Sequence, residues 1–156
     1  MMRVGLGYDI HRLVKNRRLY LGGMVIPWNK GEMGHSDGDV LIHALIDALL
    51  GAAAMGDIGT HFPPGDPAYK NISSETLLQK TIELISARSY SIVNIDATII
   101  LEKPKLLPFV PRIKNSLSRL TRTDASLISL KCKTKEGMGN VGRGKAIEAY
   151  VIVLLQ

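Results

Sequence analysis

Cysteine is nearly missing from this sequence. Its 156 residues hold one, Cys132, so no disulfide can form within the chain and a secreted disulfide scaffold is excluded. A reducing, cytoplasmic setting is the expectation. Aromatic residues are scarce at 5%, too few for a stacking platform along a nucleic-acid groove. No uninterrupted apolar run approaches the ~20 residues that a membrane span needs. Gly7, Asp9 and His11 interrupt the opening MMRVGLGYDIHRL before it can act as a signal-peptide core. No internal repeat, low-complexity tract or Pro/Gly/Ser-rich linker divides the chain, so residues 1–156 are expected to form one domain. What the sequence does hold is 46% hydrophobic and 22% charged residues, the mix of a globular chain. Lys and Arg number 20 against 14 Asp and Glu, a net charge of +6 that suits an anionic partner, nucleic acid or phosphorylated metabolite.

Hydrophobic patterning sets the expected elements. MRVGLGYDIHRL reads as a strand that turns Asp9 and His11 to one face. RRLYLGGMVIPW reads as two short strands joined at Gly22-Gly23, and NKGEMGHSDGD as a loop. DVLIHALIDALLGAAAMG is a helix. Leu41, Ala44, Leu45, Ala48, Leu49 and Ala52 form its apolar stripe, Ser36, Asp37 or Asp39 can cap it, and Gly56 can end it. DIGTHFPPGDPAYK reads as a loop, and a second helix starts at Ser73 or Ser74 and runs to about Arg88. YSIVNIDATIIL alternates as a strand, KPKLLPF turns, and VPRIKNSLSRL is a third helix. SLISLKCKTKE and AIEAYVIVLLQ are strands flanking GMGNVGRGK. The expected class is α/β in an α+β, two-layer arrangement: a mixed, four-stranded-type sheet with helices on one face.

Three places can carry chemistry. Asp9 and His11 share a strand face, and His43 lies on a helix that can pack beside that strand. Two imidazoles and a carboxylate are the protein share of an open zinc site. The same set suits non-haem Fe(II), and spacing leaves both metals open. Asp39 and Asp47 fall four residues either side of His43, and either can orient it from behind. The second place is GHSDGD. His35 and Ser36 precede a helix start that can hold an anion, or the segment simply caps the helix. The third is TKEGMGNVGRG, where Thr134 can donate a hydrogen bond, Glu136 can hold a divalent cation and Arg143 can fork onto a phosphate. Its glycines fit neither the GxxxxGKS nor the GxGxxG spacing, and they serve a tight bend as readily as a phosphate.

Taken together, GYDIHRL, GHSDGDVLIHALIDALLGAAAMGDIGTHFP, ATIILEKPKLLPF and KTKEGMGNVGRG make the chain resemble the 2-C-methyl-D-erythritol 2,4-cyclodiphosphate synthases of the non-mevalonate isoprenoid pathway. The resemblance spans nearly the whole chain in the family's order. It implies a cytoplasmic homotrimer, its sheets assembled around the trimer axis and its active sites between subunits, with a small-molecule substrate and neither nucleic acid nor membrane as partner. It implies one Zn²⁺ per subunit on Asp9, His11 and His43, and Mg²⁺ or Mn²⁺ on Glu136 and the substrate diphosphate. His35 and Thr134 would polarise the phosphates, with Ser36, Lys135 and Arg143 beside them. Asp57, Ile58 and Gly59 would receive the ribose, and Pro104, Lys105, Leu106 and Leu107 of a neighbouring subunit would frame the cytosine. Phe62, Pro63 and Asp66 would line the erythritol. The implied enzyme is a CMP-releasing, phosphorus–oxygen lyase that cyclises its substrate.

This chain departs from the family at Pro64, where an acid is usual, at Lys133 and Lys135 in a run that commonly holds threonines, and at Asn140, where an aromatic is common. Two other readings compete. One is a basic nucleotide- or RNA-binding module, which has no use for an open metal site. The other is a non-haem iron oxygenase, which metal analysis separates.

Overall fold

Alternation in the opening segment becomes a strand of 13 residues, β1 (Arg3–Lys15), whose two faces differ in kind. The computed structural model describes residues 1–34 and 36–156. β1 is followed by the hairpin β2 (Leu19–Leu21) and β3 (Met24–Ile26), which turns on Gly22 and Gly23, both at positive φ. The segment expected as a loop contributes a strand, β4 (Lys30–Glu32), because its backbone completes an antiparallel pair with Leu13–Lys15 of β1.

Helix α1 (Val40–Ala52) is capped by Asp39, whose side chain accepts from Ile42 N–H. The chain leaves α1 earlier than Gly56. Ala54 takes a positive φ of 55°, and Met55 N–H closes on Leu50 O at 2.9 Å. The expected loop that follows contains α2 (Ile58–His61), capped by Asp57, and a 3₁₀ turn at Pro67–Tyr69, capped by Asp66. Then come α3 (Ser74–Ser86), β5 (Ile92–Ile100), α4 (Val110–Thr121), β6 (Ile128–Lys133), α5 (Gly139–Gly142) and β7 (Ala146–Leu155). The main sheet has five strands in the order β4-β1-β7-β5-β6, the short β4 being the addition to the four that were expected. β5 and β6 run parallel, and the other pairs are antiparallel.

α1 lies across β1 and β7, α3 packs on α1, and α4 bridges α3 and β6. The core is their shared apolar surface: Leu41, Ile42, Leu45, Leu49 and Leu78 from the helices, Ile95, Ile99, Val151 and Val153 from the sheet. Each such side chain contributes roughly 1.5–3 kcal/mol on burial. One contact sets the position of the site. A Cβ on Gly5 would lie 2.0 Å from Ala48 O, and one on Gly7 would lie 1.8 Å from Ala44 O. Glycine on the strand and alanine on the helix therefore let the two backbones approach closely. Gly5, Gly7, Asp9 and His11 alternate along one face of β1, so the strand that touches α1 at its glycines offers two polar side chains beside the helix start.

Candidate functional site

At that helix start the polar groups converge. Asp9 Oδ2 lies 2.8 Å from His11 Nε2 and 3.1 Å from His43 Nδ1, and the two ring nitrogens are 3.2 Å apart. Zinc bonds of ~2.0–2.1 Å at tetrahedral angles place ligand atoms about 3.3 Å apart, so the spacing fits one small cation. The three residues are partly buried and are the one His/Cys/Asp/Glu group of this kind among the described residues.

The far side of each ring shows which nitrogen faces inward. His11 Nδ1 is 3.1 Å from Met33 O, and a carbonyl can only accept, so His11 Nδ1 carries the proton and Nε2 is turned to the site. His43 Nε2 is 2.9 Å from Ser74 Oγ, whose own hydroxyl donates to Asp37. In the neutral rings the inward atoms are thus all lone pairs. Three acceptors facing one point with no donor between them need a cation or a proton there. The pKa shifts follow this arrangement. Burial works against ionised Asp9, but His11 and His43, which donate to it when a second proton occupies their inward nitrogens, outweigh that burial and hold the carboxyl at about 2. Burial works against a charged His11 ring as well, but Asp9 outweighs it and the ring is pushed above 6.5.

Neither Asp39 nor Asp47 orients His43. Asp39 is fully buried and spends its oxygens on Gly22, Gly23 and Ile42 N–H, and burial raises its pKa despite those bonds. Asp47 accepts from Ile58 N–H at 2.8 Å, tying the DIG segment to α1 one turn beyond His43. Helical spacing put all three residues on one face, but the His43 ring points away from its own helix toward the start of α3. Sequence reading missed Ser74 and Asp37 as partners of the site. The signal for Ser74 was present only as a helix-start serine, a role that Ser73 fills.

Of the other expected site residues, His35 lies outside the described residues. Arg17 pins the neighbouring Ser36 through its carbonyl at 2.7 Å. Asp57 is exposed, and the Thr60 hydroxyl and amide hold its carboxyl below the usual range. Ile58 and Gly59 follow in the same short helix. Phe62 is buried, its ring meeting Tyr69 edge-on at 5.4 Å, while Pro63 is exposed and Asp66 caps its turn.

A second group gathers elsewhere on the chain. Thr134 Oγ–H donates to Glu136 Oε1 at 2.8 Å, Lys135 N–H donates to Glu102 Oε2 at 3.2 Å, and Lys135 Nζ lies 3.3 Å from the buried Glu148. These contacts join the glycine loop to the segment holding Pro104 and Lys105, where Leu106 is buried and Leu107 is exposed. Arg143 Nε–H donates to Gly139 O within that loop. The amides of Met138, Gly142, Arg143, Gly144 and Lys145 also bond inside it, so the glycines serve a tight bend. No side-chain hydrogen bond among the described residues links this group to the metal-like site.

Comparison with known proteins gives one consistent result. The YgbB family matches residues 2–156. A 2-C-methyl-D-erythritol 2,4-cyclodiphosphate synthase of Clostridium kluyveri is 54% identical over 154 residues, covering 99% of this chain and 94% of that protein. One of Clostridium botulinum is 52% identical over 154 residues, covering 99% of each. Among solved structures, a CDP-bound form of 2C-methyl-D-erythritol-2,4-cyclodiphosphate synthase aligns with a TM-score of 0.92 at 41% identity, over 99% of this chain and 100% of that one. The CDP complex of Plasmodium falciparum IspF aligns with a TM-score of 0.86 at 37% identity, over 99% of this chain and 95% of that one.

Proposed function

The chain belongs to the YgbB family, and on that premise we infer that it converts 4-diphosphocytidyl-2-C-methyl-D-erythritol 2-phosphate to 2-C-methyl-D-erythritol 2,4-cyclodiphosphate and CMP, in isoprenoid precursor biosynthesis. The 2-phosphate oxygen forms a bond to the β-phosphorus, the bond from that phosphorus to the bridging oxygen breaks, and CMP leaves with the electron pair. The enzyme is then a cyclising phosphorus–oxygen lyase. One observation carries the reading: Asp9, His11 and His43 aim three lone pairs at one point.

We assign those three residues to Zn²⁺, one ion per subunit, and Glu136 to Mg²⁺ or Mn²⁺ held mainly by the substrate's phosphates. When bound, the cations would withdraw charge from phosphates that otherwise repel each other. The chain's own residues hold the substrate folded. By the family resemblance His35, Ser36 and Thr134 would donate to phosphate oxygens, with Lys135 and Arg143 adding positive charge. Asp57, with Ile58 and Gly59, accepts from the ribose. Phe62, Pro63 and Asp66 bound the erythritol, and Pro104, Lys105, Leu106 and Leu107 bound the cytosine. No side-chain nucleophile is required, since the substrate carries its own. The catalytic work is alignment and charge stabilisation.

A homotrimer is part of the same reading, and two features support it. Among the described residues the two groups of site residues share no side-chain hydrogen bond within one chain, which suits pockets completed by a neighbour. The sheet face away from the helices exposes Val4, Leu6, Tyr8, Ile10, Tyr150 and Ile152, an apolar surface suited to burial between copies. No helix among the described residues is long and apolar enough to cross a membrane, and we place the enzyme in the cytoplasm as a single domain over residues 1–156. Pro64, Lys133 and Asn140 would change details of the erythritol and phosphate contacts and any apolar lining along the trimer axis.

The test is incubation of the purified chain with the cytidyl substrate, Zn²⁺ and Mg²⁺, followed by phosphorus NMR. CMP and a cyclic diphosphate should appear together. CMP with a linear diphosphate, or no turnover, would overturn the reading.

A further inference from the structure

We propose that Ser74, backed by Asp37, is a positioning residue that fixes His43 as a donor on its far side and so reserves Nδ1 for a cation. The inference deepens the proposed function and rests on its assignment of Asp9, His11 and His43 as metal ligands.

Three contacts define the device. His43 Nε2 and Ser74 Oγ are 2.9 Å apart, the Ser74 hydroxyl donates to Asp37 Oδ1, and Ser74 N–H donates to Asp37 Oδ2 at 2.9 Å. Ser74 is fully buried, so no water competes for its oxygen. An ionised carboxylate only accepts, and this sets the direction of the whole chain of bonds. The serine proton goes to Asp37. Its oxygen is left with lone pairs facing His43, and the ring answers with Nε2–H. A neutral imidazole has one proton, so Nδ1 must then be bare.

The geometry also explains why the serine is held so firmly. Its amide and its hydroxyl both bond Asp37, so one carboxylate clamps the first residue of α3 at two points. Asp37 further accepts from Asp39 N–H at 3.3 Å, and Asp39 is the cap of the helix carrying His43. The ligand, its hydroxyl partner and the carboxylate behind them thus sit on α1, α3 and the loop before α1. Met33 O performs the matching task for His11, with a backbone carbonyl in place of the relay. Partners behind a metal ligand commonly set its tautomer, and their loss lowers metal affinity about 10–100-fold.

The test uses the full chain with ¹⁵N-labelled histidine. In the metal-free parent, His43 should show a slowly exchanging Nε2–H proton. That proton is present whether or not the inward nitrogen is protonated, so the readout does not depend on a metal. Ser74→Ala should lose the slow exchange and bind Zn²⁺ about 10–100-fold more weakly in competition with a chromogenic chelator. Ser74→Thr, which keeps the hydroxyl, should restore both. A parent without the protected proton overturns the proposal. So does Ser74→Ala that retains the proton, whether its zinc affinity stays within about twofold or falls, since the latter is what a merely structural role would give. Should Ser74→Ala fail to fold, Asp37→Asn is read the same way, with faster exchange expected and unchanged exchange overturning the proposal. A parent that binds no zinc but keeps the protected proton sinks the metal assignment and leaves the role of Ser74 standing.

Discussion

The two faces of β1 are made by alternate residues of one segment, yet they solve different problems. One face reads Gly5, Gly7, Asp9, His11, and the other reads Val4, Leu6, Tyr8, Ile10. On the first, missing side chains let α1 approach within a distance that any Cβ would prevent, and the polar pair sits beside the helix start. On the second, large apolar side chains stand in the open, with Val4 at 69% and Leu6 at 65% exposure. Neighbouring strands extend the contrast. Tyr8 meets Tyr150 across the β1–β7 pair at a ring separation of 4.8 Å on the open face, while Ala149 and Val151 are buried under the helix. Small residues thus mark where the chain packs on itself, and large exposed ones mark the face that the proposed trimer would bury.

Damage to the helix-facing side should be the most severe. His43→Ala removes one of the three proposed zinc ligands. Turnover should fall about a thousandfold or more, equivalent to several kcal/mol of transition-state stabilisation, with zinc lost and the circular dichroism spectrum retained. Full zinc occupancy in that variant would remove His43 from the site. Gly7→Ala attacks the same face at its packing contact. It should cost about 3 kcal/mol or more in urea unfolding, because the new methyl meets helix backbone that cannot move aside alone. A variant of parental stability would mean that α1 does not lie against Gly7.

Change on the open face should spare the subunit and break the assembly. Leu6→Glu places a charge in the apolar patch, at a cost of about 2 kcal/mol or more if that patch is buried between copies. Sedimentation should then show monomers and turnover should drop at least about tenfold, with the thermal unfolding of the subunit little changed. An intact trimer would show that this face is not the interface.

The smallest effect concerns Glu32, which lies in neither face. It is fully buried, with one oxygen bonded to Tyr20 N–H at 3.1 Å and the other without a hydrogen-bond partner among the described residues. Burial, with Asp39 beside it, pushes its pKa from 4.5 up to about 9. The unfolded chain releases that proton first, so Glu32 lowers stability progressively as pH rises from about 4.5 to about 9. Glu32→Gln should match the parent near pH 4 and be more stable by about 1–3 kcal/mol at pH 9. A constant difference across that range would show that Glu32 is ionised in the fold.

Much of this was legible without coordinates. Side chains alternate along a strand and recur every three to four residues along a helix, so local spacing alone placed Asp9 beside His11 and buried the Leu41–Ala52 stripe. The Asp9–His11 pair, the long helix and the second helix start at Ser73 or Ser74 follow from such short-range rules, whereas spacing left open both whether His43 would join that pair and whether the late glycines serve a bend or a phosphate. Tertiary structure alone decided what meets those residues from far along the chain. The choice between ring nitrogens rests on Met33, 22 residues from His11, and on Ser74, 31 residues from His43. Lys30–Glu32 became a strand only because β1 offered a free edge. Periodicity says which way a side chain points. It does not say which distant group waits there, and hydrogen-bond direction, burial and the tautomer of a ligand depend on that neighbour.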